Sequence, residues 1–504
     1  MIDSSMRAAE LSERLEPLRH SVAQAVKRDG PAEHQVAIDH MSWRYAHSEA
    51  AIALLQWADF CSDSGASALA EIAYRQAIAL TASDVSAESI DILKAGLVDR
   101  VTHTEDLGAT DEHRLLRATI RNFASRVIQP RANQIHRLDL DIPDQVIRGV
   151  ADLGLFGMSI PAEYGGSQPA ENFLAMLIAT EELSMASLAV GGSLITRPEI
   201  LVRALLRAGT EPQKRKWLPS IASGEKLVAV AVTEPDHGSD VGDIQCRATL
   251  LASGDWVING TKLWCTFAGR SELIMVLCRT ADTGHRGLSV FVVEKPRFDG
   301  HEFEFRQPDG GTLRGRAIPT IGYRGMHTFD LSFEALRLPP DALVGGEEWL
   351  NRGFYLQMEG FAIGRIQTAG RAVGLMQAAV DDSLAYARSR RAFGGPIATN
   401  QLIKSKLGNM LLLLNASRQL SYRAARLLNA GGGQTEAALA KLYASRAAEI
   451  VTREAMQVHG AMGYSEEMDV SRYFVDARVL TIFEGAEEIL SLRVVGKALL
   501  EQSN

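Results

Sequence analysis

The fold of this 504-residue chain is constrained most by its hydrophobic period, which changes near Leu227 and again after Pro339-Pro340. Up to Leu227 the apolar residues recur at helical spacing. The runs that follow, LVAVAVTE, DWVINGTKLWC, ELIMVLCRT and LSVFVVEK, are short, β-branched and partly alternating, and helical spacing returns after the two prolines. The pattern therefore predicts an antiparallel β-domain between two helical regions.

Three apolar stripes support the helical regions. They comprise Leu69, Ile72, Ala73, Ala77 and Leu80; Val373, Met376, Val380, Leu384 and Ala387; and Ile403, Leu407, Met410, Leu411 and Leu414. The last two are typical of a helical bundle. The polar segments TASDVSAESID and DRVTHTEDLGATDEH predict a linker region, Gly165, Gly166 and Pro169 predict turns, and Asn259-Gly260 predicts a β-hairpin turn.

Composition narrows the class of protein. The net charge is −8 without a basic tract, so we expect no nucleic-acid partner. No stretch reaches 18 uninterrupted apolar residues and the N-terminus lacks a signal-peptide core, so we expect no membrane segment and a cytoplasmic location. The four cysteines have no CxxC spacing and predict free thiols, and we expect no metal site.

A cofactor site is suggested at the start of the β-region. No GxGxxG fingerprint follows a strand, so a Rossmann dinucleotide site is not supported. The segment VAVTEPDHGSD leaves a strand for a Pro/Gly turn, and its amides and the hydroxyls of Thr233 and Ser239 suit a polar ring edge or a phosphate. Trp264 and Thr266 occupy alternate positions of a predicted strand, so both side chains should point to the same face. A polar turn and a half-buried strand pair explain the same residues.

Glu484 follows the apolar residues Val479, Leu480, Ile482 and Phe483 and precedes Gly485, so it leaves an apolar run at a tight turn. Removing a proton from a carbon acid requires a carboxylate in a dry pocket. The local sequence alone favours another interpretation, a carboxylate near a helix N-terminus.

The chain from about Glu112 onward resembles the acyl-CoA dehydrogenase family. The resemblance lies in FGMSIPAEYGG, GTEPQKRKWLP, AVTEPDHGSD, NGTKLWCT, RSRRAFG, QVHGAMGY and IFEGAEEI, in the family's order. It implies a mainly α fold with a β-domain: an N-terminal helical extension (1–105), a helical domain (106–225), an antiparallel β-barrel domain (226–345) and a C-terminal four-helix bundle (346–504). It also implies FAD between the last two and a homodimer or a dimer of dimers.

The resemblance assigns roles to individual residues. Glu484 would be the catalytic base, and Gly364 occupies the position where some members carry an alternative one. FAD contacts would come from Val232, Thr233, Gly238, Ser239, Trp264, Thr266, Arg390, Phe393, Gln401, Gln457 and Gly460. Substrate contacts would come from Ser239, Arg365, Arg197 and Gly485.

The extension and the segments SLITRPEI, KLWCTFAGR, GGTLRGRAIPTIGYRGM and RIQTAGRAVGL are similar to the methylsuccinyl-CoA-oxidising subfamily. That similarity implies a substrate with a free carboxylate, for which Arg197 and Arg365 are candidate partners, a mesaconyl-CoA product and electron-transferring flavoprotein as acceptor. Three alternatives stay open: another short or branched acyl-CoA, a flavin oxidase of the same fold, and a DNA-binding flavoprotein, against which Glu484 and the negative charge speak.

Overall fold

A computed structural model describes residues 4–61, 64–81, 109–167 and 172–501. The chain forms two compact units, each assembled from separate stretches of sequence. The first comprises Met1–Thr119, Phe173–Ala186 and Arg365–Asn504, and the second comprises Ile120–Asn172 and Ser187–Gly364. Pro169 and most of the predicted linker lie outside the described residues, and the domain boundaries near 105, 225 and 345 stay predictions.

The described elements are as follows. The helices are α1 (Ser4–Asp29), α2 (Gln35–Cys61), α3 (Ser64–Thr81), α4 (Asp111–Phe123), α5 (Gln129–Leu138), α6 (Asp144–Asp152), α7 (Phe173–Ala186), α8 (Thr196–Ala208), α9 (Glu211–Ala222), α10 (Gly353–Ser389), α11 (Gln401–Asn429), α12 (Gln434–His459), α13 (Asp469–Arg478), α14 (Glu487–Ile489) and α15 (Lys497–Glu501). The strands are β1 (Val228–Ala231), β2 (Arg247–Leu250), β3 (Trp256–Thr266), β4 (Leu273–Arg279), β5 (Leu288–Glu294), β6 (Glu302–Arg306), β7 (Thr312–Ala317), β8 (Thr328–Leu338), β9 (Arg391–Ala392) and β10 (Gly395–Pro396).

The second unit is built on a curled sheet of eight strands in the order β1-β4-β2-β3-β8-β7-β6, with β5 paired to β4. Most pairs are antiparallel as predicted, but β1 runs parallel to β4. Strand β4 is buried on both faces: Leu273, Met275 and Leu277 pack in a core shared with α8 and α9, and the alternate residues pack in a core within the sheet. This double burial explains its uninterrupted apolar sequence.

The predicted hairpin turn at Asn259-Gly260 is wrong, because both residues lie inside β3. The register against β8 shifts between Ile258 and Gly260, which marks a β-bulge. Gly260 adopts a φ of +137°, and a Cβ there would lie 2.8 Å from the Cα of Cys246. The Asn259 side chain accepts a hydrogen bond from the Ala335 amide at 2.8 Å. Gly260 therefore supplies the backbone conformation and the close approach that the bulge requires, and Asn259 binds the neighbouring strand.

The first unit is helical, and the stripes predicted for α3, α10 and α11 are largely confirmed. Leu69 and Ala77, Val373 and Met376, and Leu407 are buried; Ile403 is only half-buried, and the Leu80 side chain lies outside the described residues. Helix α2 packs against α11, α12 and the π-helical segment Leu490–Gly496, so the N-terminal helices share a core with the C-terminal ones.

Within the described residues, no helix combines the length and apolar composition needed to cross a membrane. The four cysteines all lie in the described part of the chain and are free thiols, as predicted.

Candidate functional site

Glu484 lies in a tight turn just before α14. Its φ of +54° is left-handed, and Gly485 follows with a φ of +93°. The side chain is 8% exposed, and Oε2 is buried without a hydrogen-bond partner. Helix α14 begins three residues later with Ala486 at its N-cap, so Glu484 does not cap it. A buried carboxylate oxygen left free for a ligand suits a general base.

Positive side chains surround this carboxylate within the first unit. Arg371 Nη2 lies 4.0 Å from Glu484 Oε1, and the guanidinium stacks on Phe483 at 4.6 Å. Burial lowers the pKa of Arg365, while the charge of Glu484 opposes that shift. Lys441 Nζ donates to the carbonyl of Gly485 at 2.7 Å. Burial lowers the pKa of Lys441 to about 7, against the opposing charge of Glu484.

Arg371 and Lys441 were not singled out from the sequence, although both carry a signal. Each is a single cation in a run of small and apolar residues, TAGRAVGL and AALAKLYA. Such a residue is rarely fully buried unless it is paired, yet both are 0% exposed. A single cation within an apolar helical run was the sign that the sequence offered.

The candidate flavin contacts in the second unit follow β1 as predicted. Strand β1 ends at Ala231, and the amides of Glu234 and His237 bond each other's carbonyls across the turn. Gly238 and Ser239 are exposed beyond it. The loop is anchored by Glu234, whose buried carboxylate accepts from Lys262 Nζ and from the Cys246 amide, both at 2.8 Å. This anchor fixes the turn, and the exposed backbone of Gly238 and the backbone and hydroxyl of Ser239 can face a polar ligand.

Trp264 and Thr266 differ in exposure, and the strand face that they were expected to share stays a prediction. A second register shift lies between Lys262 and Cys265, and Trp264 has a φ of +60°. The bulge interrupts the strict alternation on which the prediction depended. Trp264 is 54% exposed, whereas Thr266 is buried with its hydroxyl 3.2 Å from that of Thr328.

The candidate contacts in the first unit gather at one end of its helices. Arg390 and Phe393 belong to the turn after α10, where β9 and β10 pair. The Tyr386 ring near the end of α10 stacks on His459 at the end of α12, with centroids 4.3 Å apart. That stacking brings this turn close to Gln457 and Gly460. Phe393 is fully exposed with a φ of +51°, and Gln401 is exposed at the start of α11.

Arg197, the other candidate for a substrate carboxylate, is 7% exposed in the second unit. It donates to the Tyr323 hydroxyl at 3.1 Å, and Tyr323 has a φ of +60°. The Tyr323 hydroxyl in turn donates to Ser193. Arg197 therefore has a protein partner that fixes its guanidinium.

Two histidines and two aspartates meet where α5 approaches the sheet. His327 Nδ1 lies 3.1 Å from Asp141, and His301 Nε2 lies 3.1 Å from Asp139. Burial lowers the pKa of His327, but the hydrogen bonds and negative charges of Asp141 and Asp139 together outweigh burial and raise it. Ligand-type atoms of Asp139, His301 and His327 lie within 4.8 Å of one another, and these ion pairs account for that closeness. The expected absence of a metal site stays a prediction.

Comparison with known proteins matches most of the chain. Residues 110–225, 229–336 and 351–500 match the N-terminal, middle and C-terminal domains of acyl-CoA dehydrogenases. The chain is 38% identical over 399 residues to (2S)-methylsuccinyl-CoA dehydrogenase of Cereibacter sphaeroides, covering 78% of this chain and 70% of that protein. It is 37% identical over 392 residues to the mitochondrial short-chain specific acyl-CoA dehydrogenase of Bos taurus, covering 77% and 90%.

Among solved structures, butyryl-CoA dehydrogenase from Megasphaera elsdenii matches with a TM-score of 0.72 at 30% identity, covering 79% of this chain and 100% of that one. The chain belongs to the acyl-CoA dehydrogenase family, FAD-binding oxidoreductases that act on the CH–CH bond of acyl-CoA thioesters.

Proposed function

We propose that this enzyme oxidises (2S)-methylsuccinyl-CoA to mesaconyl-CoA, with Glu484 as the base. The observation that carries the proposal is the Glu484 site, a buried carboxylate with a free oxygen among Arg371, Arg365 and Lys441. A site with more cations than carboxylates favours an acyl group that carries its own negative charge. The 38% identity to a methylsuccinyl-CoA dehydrogenase supports the same substrate.

In the proposed reaction Glu484 removes the proton from the α-carbon, and the backbone N–H of Glu484 donates to the thioester oxygen as negative charge develops there. Bound FAD would supply the acceptor for the hydride that leaves the β-carbon. Gly485 lets the chain turn sharply after the base, since its φ of +93° is one that residues with a Cβ rarely adopt. Ser239, Gly485, Arg365 and Arg197 are the proposed substrate contacts.

The residues of each unit fit FAD. Val232, Thr233, Gly238, Ser239, Trp264 and Thr266 are proposed to hold the flavin and the pyrophosphate. The exposed face of Trp264 suits the flavin ring, and the exposed amides after β1 suit the phosphates. Arg390, Phe393, Gln401, Gln457 and Gly460 are proposed to hold the adenosine diphosphate part. The guanidinium of Arg390 can bond two diphosphate oxygens, and Phe393 offers an uncovered ring for stacking.

We further propose that the enzyme is a homodimer or a dimer of dimers and passes its electrons to electron-transferring flavoprotein in the cytoplasm. The full exposure of Phe393 supports an assembly in which a second subunit's cofactor covers that ring. A fully exposed aromatic ring at a tight turn is typical of a surface on which a ligand or another subunit packs.

A second candidate is the dehydrogenation of an uncharged short-chain acyl-CoA. It is supported by the 37% identity to a short-chain specific enzyme and by the likeness to butyryl-CoA dehydrogenase.

The test is an assay of purified holoenzyme with a dye acceptor and a panel of acyl-CoAs. We expect kcat/KM for methylsuccinyl-CoA to exceed that for 2-methylbutyryl-CoA and butyryl-CoA. The two branched thioesters are a matched pair, since they differ only in a terminal carboxylate against a methyl group. A preference for an uncharged thioester would favour the second candidate and leave the family assignment standing.

A further inference from the structure

Several cationic side chains lie near the base within the first unit. Glu484 supplies one negative charge, while Arg365, Arg371 and Lys441 supply two guanidiniums and an amine that titrates near neutrality. The nearby carboxylate of Glu487 bonds Arg446 at 2.9 Å and 3.1 Å. These positive groups beside a single base carboxylate give the site a positive electrostatic potential, which favours an anionic group on the ligand.

The chemistry of the substrate places its carboxylate in the same region. The base must approach the α-carbon to roughly 3–3.5 Å for proton transfer. In a methylsuccinyl group the carboxylate carbon is two single bonds further on, about 2.5 Å from the α-carbon. Its oxygens therefore lie within roughly 7 Å of the Glu484 carboxylate, and two like charges at that separation repel each other in a dry site.

Arg371 is placed to relieve this repulsion. Its Nη2 is 4.0 Å from Glu484 Oε1, which leaves the guanidinium beside the base but beyond hydrogen-bonding distance. The Thr368 hydroxyl accepts from Nη2 at 2.7 Å, and the Phe483 ring lies 4.6 Å from the guanidinium. These contacts fix the plane of the guanidinium, which is the geometry a fork needs to bind a carboxylate.

We propose that Arg371 binds the free carboxylate of the acyl group and thereby selects carboxylated over uncharged thioesters. The assignment rests on the proposed methylsuccinyl-CoA activity. It gives to Arg371 the carboxylate-binding role for which Arg197 and Arg365 were the sequence candidates. Arg197, whose guanidinium donates to Tyr323, and Arg365, which lies near the base, stay proposed contacts to other parts of the substrate.

The test compares holoenzymes carrying Arg371→Met, Arg371→Lys and Arg365→Met with the wild type on methylsuccinyl-CoA and 2-methylbutyryl-CoA. We expect Arg371→Met to lower kcat/KM for methylsuccinyl-CoA by roughly 100-fold or more and to change that for 2-methylbutyryl-CoA only about threefold. Arg371→Lys keeps the charge but loses the fork, so it should restore part of the preference. Arg365→Met should lower kcat/KM for the two substrates by similar factors.

FAD content and thermal midpoint verify that each variant is folded, and Arg371→Lys carries the comparison if the Met variant is not. If the wild type prefers methylsuccinyl-CoA and the Arg371 variants keep that preference or lose both activities equally, the assignment of Arg371 is wrong and the proposed function stands. If the wild type itself prefers 2-methylbutyryl-CoA, the proposed function is wrong, and the assignment of Arg371 that rests on it is wrong as well.

Discussion

Glu484 combines a left-handed backbone with a buried charge. A φ of +54° costs a residue with a Cβ on the order of 1 kcal/mol. The turn persists because Lys441 holds the next carbonyl at 2.7 Å. The carboxylate is buried at this turn, whereas Ile482, two residues earlier, is exposed. Local strain of this kind is typical of functional sites.

Replacing Glu484 with Gln should keep the fold and FAD but slow dehydrogenation by roughly 10²–10⁴, because an amide cannot accept the α-proton. The measurement is the rate of flavin bleaching after rapid mixing with methylsuccinyl-CoA. Glu488→Gln is the matched control, since Glu488 is exposed four residues later, and it should bleach at the wild-type rate. Bleaching of the Glu484 variant at the wild-type rate would place the base elsewhere.

At the scale of elements, the first unit is held by a buried ionic network between α4, α7 and α11. Glu181 on α7 is 2% exposed and accepts from Arg418 at 2.8 Å, from Tyr422 at 2.7 Å and from Arg117 at 3.1 Å. Burial raises the pKa of Glu181, but Arg418 and Arg117 outweigh it and hold the pKa at about 2. Helices α7 and α10 also approach closely, since a Cβ on Gly374 would lie 2.2 Å from the carbonyl oxygen of Glu181.

Glu181→Gln should destabilise the folded chain by about 3–5 kcal/mol, because it removes the buried carboxylate that the guanidiniums of Arg418 and Arg117 share. The pKa of Glu181 in the folded chain lies below its ordinary 4.5, so the stabilisation is complete above that pH and is lost as the pH falls toward about 2. Urea unfolding of the wild type and the Glu181→Gln variant at pH 7 and pH 3 measures this. The difference between their free energies of unfolding should be smaller at pH 3. Asp282→Asn in the exposed pair with Arg247 is the control and should behave as the wild type. If the difference in free energy of unfolding is the same at both pH values, the loss of stability comes from packing and not from the charge of Glu181.

On the scale of the whole molecule, the N-terminal helices are part of the first unit. The Ser42 hydroxyl donates to the Ser491 carbonyl at 2.7 Å, and the Arg446 guanidinium stacks 3.6 Å from the Trp43 ring. A Cβ on Gly496 would lie 2.2 Å from Ile38, so these segments are in close contact.

A chain that begins at residue 109 should therefore unfold at a lower temperature and scatter light at concentrations where the full chain does not, because it exposes the apolar face beneath α2. Differential scanning calorimetry and light scattering measure the two effects. Equal thermal midpoints would show that the N-terminal helices add nothing to stability.

Purified full-length protein should carry about one FAD per chain, since each subunit contributes both sets of proposed contacts. Mass spectrometry of the heat-released cofactor, set against the protein concentration, gives the ratio. Recovery of FMN, or of well-folded protein without a chromophore, would contradict the assignment of the contacts.

The sequence by itself determined the periodic features of this protein. Helical and strand regions, the buried stripes of α10 and α11, and the turn after β1 follow from hydrophobic spacing and turn residues, which are local properties. The IFEG motif located the candidate base only through a family resemblance, because its local sequence alone favours a carboxylate near a helix N-terminus.

Only the tertiary structure decided the features that depend on distant partners. Asn259-Gly260 forms a bulge because β8 and Cys246 lie beside it, and the second bulge separates the surroundings of Trp264 from those of Thr266. Arg371 becomes a candidate carboxylate ligand because the fold brings it to Glu484, which lies 113 residues further along the chain (484 minus 371). The physical reason is that burial and charge pairing are properties of packed neighbours, and hydrophobic spacing along one segment does not specify those neighbours.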